Sequence, residues 1–166
     1  IEMDNSGHHY DFENYSTKQI NSLLLLLKHI SEIYKINKQN TLGHSDIAPY
    51  RKIDPGERFP WEQLMMNDLS FVPKIMPQNK KKQIVQYLGN KIGDHSKKKR
   101  SLHMFNKIGY DVRQAKENEK QYSMLVKAYQ MHYRQNLVSG KLDLETYNLI
   151  LSHCNEILTK GLFSNN

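Results

Sequence analysis

Gly43-His44-Ser45-Asp46-Ile47-Ala48-Pro49-Tyr50-Arg51-Lys52-Ile53-Asp54-Pro55-Gly56, followed by Phe59-Pro60-Trp61, is the stretch on which the reading of this chain turns. It shows neither the three-to-four-residue apolar spacing of a helix nor the alternation of a half-buried strand. Pro49, Pro55, Gly56 and Pro60 interrupt regular structure. A loop of this length inside a folded domain usually carries function. His44 offers an imidazole nitrogen and Asp54 a carboxylate, donors of the kind that hold a catalytic zinc ion, which typically has three protein ligands and one open position. Lys52 precedes Asp54 by two residues, so in extended backbone both share a face. A cation there would stabilise negative charge developing on a substrate oxygen. The prolines stiffen the loop, so donors held on it need little ordering. On residue chemistry alone, an ordinary salt bridge in a surface loop fits the same pair.

Working outward, Ser16 and Gln19 form an S-x-x-Q capping-box signature. Ile20, Leu23, Leu24, Leu27, Ile30 and Tyr34 follow at helical spacing, predicting a buried amphipathic helix over about 17–35. Ile1–Asp4 and Asn40–Gly43 read as short strands, the second leading into the loop. Trp61, Leu64 and Met65 restart a helical pattern, and Pro73 and Pro77 mark a boundary. A weak helix is predicted over 79–92 and a basic linker over 93–100. Three further helices are predicted, over 101–108, 117–135 and 143–158, stopped or joined by Gly109 and Ser139-Gly140. They would pack as a small bundle. His8 and His9 read as loop residues, and His29 as packed or surface-lying rather than as a ligand.

The chain has 166 residues and a formal net charge of +7. Residues 1–72 carry 7 basic and 10 acidic side chains, and residues 73–166 carry 17 and 7. Such a step suggests two modules with different partners, the basic one drawn to polyanions. Its runs Lys80-Lys81-Lys82 and Lys97-Lys98-Lys99-Arg100 are also what a solvated surface would show. No recognisable nucleic-acid motif accompanies them, so a nucleic-acid partner is not expected. The longest apolar run, Leu23–Leu27, is far short of the roughly 20 residues a membrane-spanning helix needs. The one cysteine, Cys154, excludes an internal disulfide framework and a cysteine-rich zinc knuckle.

G-H-S-D-I-A-P-x-R-K-x-D-P-G with F-P-W resembles the zinc-dependent N-acetylmuramoyl-L-alanine amidases of the type-2 family, whose α/β fold is shared with peptidoglycan recognition proteins. The Gln19, Leu23 and Leu26–Leu27 helix also fits that family. The resemblance implies hydrolysis of the amide between N-acetylmuramic acid and the L-alanine that starts the stem peptide. It implies His44 as a zinc histidine, Asp54 as the zinc carboxylate and Lys52 as the cation supporting the tetrahedral transition state. Ile1-Glu2-Met3-Asp4-Asn5 resembles the end of the segment whose glutamate activates the attacking water, which makes Glu2 the implied general base.

In that family one further zinc histidine comes from an early strand ahead of the glutamate. The resemblance therefore implies that this chain is the C-terminal part of a longer enzyme. The stretches Phe105–Tyr110, Val126–Tyr133 and Gly140–Thr146 resemble a three-helix peptidoglycan-binding module, with Tyr129 where phenylalanine is commoner. The expected fold class is thus α/β: the C-terminal part of a type-2 amidase domain over 1–76, a basic linker over 77–100, and an all-α bundle over 101–160. The implied cofactor is zinc, the implied partner peptidoglycan or a muropeptide, and the implied location the bacterial cell envelope. A peptidoglycan binder without catalysis is the alternative, although such a binder has no need of both His44 and Asp54.

Overall fold

A computed structural model describes residues 1–9, 12–74 and 97–163. The Ser16 hydroxyl accepts from the Gln19 N–H, and the Gln19 side chain accepts from the Ser16 N–H. This reciprocal cap starts helix α1 (Thr17–Tyr34) where the sequence predicts it. Ile20, Leu23 and Leu27 are buried, with Leu24 and Ile30 packed beside them. Tyr34, expected on the same stripe, is instead exposed. The left-handed backbone of Lys35 (φ 53°) ends the helix.

The expected α/β class is overturned: among the described residues the fold is all helical, and the two anticipated strands are absent. A strand exists only through ladder hydrogen bonds to a neighbour, and here side chains and turns take the backbone groups instead. The Asp4 carbonyl accepts from the Gln19 amide (2.7 Å). The Asn37 side chain accepts from the Gln39 N–H and starts a 3-10 turn over Lys38–Asn40, the competition with regular structure expected of asparagine.

The stretch from Gly43 is not wholly irregular either. A one-turn helix, α2 (His44–Ile47), begins at its first histidine. Asp46 folds back so that its carboxylate accepts from the Gly43 N–H (2.8 Å), and Pro49 follows where the helix must stop. Helix α3 (Trp61–Met66) follows the loop, as expected. Together, Leu23, Leu27, Phe59, Trp61, Leu64 and Leu69 make one apolar cluster under the loop.

The helix predicted over 79–92 lies outside the described residues. Helix α4 (Lys97–Ile108) starts earlier than its predicted first residue, Ser101, so Lys97–Arg100 form its first turn rather than a linker. A 3-10 turn over Gln114–Lys116 leads to α5 (Glu119–Tyr133), capped by the Asn118 side chain. Helix α6 (Leu144–Phe163) runs beyond the predicted Leu158 and opens with the Asp143 carboxylate accepting from the Thr146 N–H (2.9 Å). A second apolar cluster joins these helices around Phe105, Leu125, Tyr129 and Ile150, each fully buried. Gly140 (φ 69°) turns the chain between α5 and α6 against Ser123, leaving no room for a side chain.

Candidate active site

The loop from Gly43 to Trp61 folds back on itself, and that return brings the two candidate ligands together. The Ser45 N–H donates to the Asp54 carbonyl (2.9 Å), joining the start of α2 to the far limb of the loop. Beside that bond, His44 Nδ1 lies 2.6 Å from Oδ2 of the same Asp54. Both side chains are more than half exposed, at 57% and 55%. The close approach has a steric condition. A methyl group on Gly43 would lie 2.5 Å from Pro55 Cδ, so only glycine lets the two limbs meet this closely. The Tyr15 hydroxyl donates to the Pro55 carbonyl (3.1 Å) and holds the outer limb against α1. Burial, together with the charge of Asp54, raises the Tyr15 pKa.

His44 and Asp54 open onto a cleft of about 650 Å³ between the loop, the N-terminal segment and α1. Lys52 and Glu2 line the same cleft, so all four residues singled out in the sequence face one space. Among the described residues no ion pair involves Lys52 or Glu2. Apolar walls come from Leu23, Leu27, Phe59, Trp61 and Leu64. His29 is exposed on α1 and His8 pairs with Glu57 (2.8 Å), so neither joins the cleft.

The donor chemistry suits zinc: one imidazole and one carboxylate converge, accessible, across the distance of a shared proton. Among the described residues no third histidine, cysteine or carboxylate completes a metal-binding group. The pair therefore fits as part of a ligand set.

Sequence reading missed what lies beneath. Asp46, two residues after His44, is 5% exposed and accepts from Gly43 N–H, from the Tyr110 hydroxyl (2.5 Å) and from His132 Nδ1 (2.8 Å). Burial alone would raise its pKa. The attraction of His132 and the three hydrogen bonds outweigh burial and hold the carboxyl below the usual range. Burial and the Asp46 charge push the Tyr110 hydroxyl well above its ordinary value. The His132 ring is sandwiched between Trp61 (3.6 Å between centroids) and Tyr133 (3.9 Å). Partners 64 and 86 residues away leave no local signal in the sequence.

Residues 1–57 match the family of N-acetylmuramoyl-L-alanine amidases. Over 152 residues the chain is 33% identical to the N-acetylmuramoyl-L-alanine amidase AmiD of Escherichia coli K12, a match covering 88% of this chain and 52% of the relative. A 66-residue stretch is 39% identical to the 1,6-anhydro-N-acetylmuramyl-L-alanine amidase AmpD of Haemophilus influenzae, covering 39% of this chain and 34% of that protein. Among solved structures, E. coli AmiD in complex with anhydro-N-acetylmuramic acid-L-Ala-D-gamma-Glu-L-Lys is similar at a TM-score of 0.71 and 30% identity, covering 87% of this chain and 54% of that one. AmpDH3 of Pseudomonas aeruginosa is similar at a TM-score of 0.71 and 29% identity, covering 87% and 55%. The chain thus spans about half the length of AmiD.

Proposed function

We propose that this chain is part of a zinc-dependent N-acetylmuramoyl-L-alanine amidase that cleaves the bond between N-acetylmuramic acid and L-alanine in peptidoglycan or muropeptides. The observation that carries the reading is the convergence of His44 and Asp54 at 2.6 Å in a cleft also lined by Lys52 and Glu2, within the stretch that matches the amidase family. The likeness to AmiD and AmpD adds support. On this reading the enzyme works at the bacterial cell envelope, where its polymer is. Residues 1–76 belong to the catalytic part, and the helices over 101–160 form a bundle of peptidoglycan-binding type. Among the described residues no helix is long and apolar enough to cross a membrane.

His44 and Asp54 would hold the zinc ion together with a donor outside the described residues. Zinc supplies Lewis acidity, polarising the amide carbonyl and making water a stronger acid. Glu2 accepts the proton of the attacking water and returns one to the leaving amine. Lys52, with no carboxylate partner among the described residues, keeps its charge available for the oxygen that becomes negative as the carbonyl turns tetrahedral. The apolar wall of Trp61, Phe59 and Leu64 lowers the local dielectric and strengthens that attraction.

The test uses the full-length protein with a soluble muropeptide, following release of stem peptide by chromatography. Activity is expected to vanish with a chelator and return with Zn2+. Asp54→Ala should lose both zinc and turnover. Lys52→Ala should retain zinc and lose turnover by about 10²–10³-fold, the scale of removing one oxyanion donor. Muropeptide binding without release of peptide in the wild type would overturn the reading.

A further inference from the structure

We infer that His132 and Gln135 are positioning residues for the loop that carries His44 and Asp54, so that the C-terminal helices set the geometry of the cleft itself. This goes beyond the catalytic reading and rests on it.

Three independent attachments run from the helical segment to the loop. In the first, His132 on α5 and Tyr110 after α4 both donate to Asp46, whose other oxygen contact is the Gly43 N–H at the loop's entry. Because Asp46 sits on the one-turn helix that begins with His44, fixing its carboxylate fixes the backbone that aims the imidazole. Trp61, a wall of the cleft, stacks on the other face of this arrangement through the His132 ring. In the second, the Gln135 amide just beyond α5 donates to the carbonyls of Glu57 (2.6 Å) and Phe59 (2.7 Å), pinning the loop's exit. In the third, the Tyr50 hydroxyl in mid-loop donates to the Asp111 carbonyl (2.5 Å).

The loop is thus held at entry, middle and exit by groups from residues 110–135, none of which lines the cleft. A bundle that served only to grip the wall polymer could hang from a tether and would need none of these bonds. The His132–Asp46 pair is almost wholly sheltered, with both side chains 2% exposed, so water cannot substitute for either partner. Partners standing behind metal ligands typically tune metal affinity by about 10–100-fold, and a 1 Å misplacement can lower a rate by about 10²-fold.

The experiment compares the full-length wild type with His132→Leu, His132→Asn and Gln135→Leu. Asparagine can present an N–H near the position of Nδ1; leucine cannot. Four readouts are taken: Zn2+ affinity against a chelating dye, kcat and KM on a soluble muropeptide, the same constants on insoluble wall, and amide hydrogen exchange of residues 43–57. For His132→Leu the expectation is weaker zinc binding and lower kcat, each by about 10-fold or more, with KM on the soluble substrate within about twofold. Amides of the loop should exchange faster while those of α5 stay protected. His132→Asn should recover most of each loss. Gln135→Leu, which leaves the buried pair intact, should move the same readouts in the same direction and keeps the inference testable if His132→Leu does not fold. Wild-type zinc affinity, kcat and loop exchange in a folded variant would overturn the inference, as would a loss confined to KM on insoluble wall. A wild type that binds no zinc and cleaves nothing would refute the proposed function, while the exchange data would still decide whether these residues hold the loop.

Discussion

Replacing Gly43 with alanine tests the loop's geometry at its tightest point. The backbone there (φ −88°, ψ 166°) is open to any residue, so no conformational strain enters. The obstacle is the Pro55 ring, whose Cδ would lie 2.5 Å from the new methyl. Ordinary contact begins near 3.4 Å, so the limbs must separate by about 0.9 Å. Trp61 Cζ2 at 3.4 Å closes the alternative direction. A proline ring cannot rotate away as a flexible chain end would. Overpacking of this kind costs about 1–3 kcal/mol. The separation falls on the Ser45-to-Asp54 bond and on the His44–Asp54 pair, so the larger effect is on the site. Turnover should drop by about 10²-fold, the penalty for a misplacement near 1 Å. The assays are thermal unfolding of full-length protein, zinc affinity and stem-peptide release. Wild-type zinc affinity and rate in Gly43→Ala would refute the claim that close contact of the two limbs sets the ligand geometry.

Three further outcomes follow from the buried groups. Asp46→Ala strands the His132 and Tyr110 donors in the interior and should cost about 3–5 kcal/mol in urea unfolding, as breaking a sheltered pair does; a loss under 1 kcal/mol would contradict the burial described. Burial, with the nearby His132, pushes the His153 pKa down to about 3, so the unfolded chain gains a proton below about 6.5 that the native chain refuses. Stability should therefore fall by about 2 kcal/mol between pH 6.5 and pH 5 through this group alone, and His153→Gln should flatten that part of the urea-midpoint curve. Burial likewise pushes the Cys154 thiol up to about 11, so a thiol reagent should label it only on unfolding; rapid labelling of folded protein would contradict its placement.

Features carried by neighbouring residues were legible in the sequence. Ser16 and Gln19 announce the start of α1, and Ile20, Leu23 and Leu27 its buried stripe. Asp143 and Gly109 delimit C-terminal helices within a few residues. That Lys52 and Asp54 face one cleft was readable from their two-residue spacing in extended backbone. The α/β expectation failed because extended-looking residues became strands only by assumption. Whether Ile1–Asp4 or Asn40–Gly43 find a ladder depends on neighbours that local pattern does not name, and here the Gln19 amide takes the Asp4 carbonyl while the Asn37 carbonyl and the Asp46 carboxylate take the N–H groups of Asn40 and Gly43. The one-turn helix at His44 escaped notice because its cap is its own Asp46, acting backward on Gly43. The His132, Tyr110 and Gln135 attachments span 64 to 86 residues and have no periodic signature.

The most direct test of the account is anomalous scattering at the zinc absorption edge from crystals of the full-length protein grown with Zn2+. The account predicts one strong peak about 2.0–2.2 Å from a His44 ring nitrogen and an Asp54 carboxylate oxygen, the usual zinc bond lengths. A peak elsewhere with His44 and Asp54 still paired to each other, or no peak in the cleft at saturating Zn2+, would contradict it.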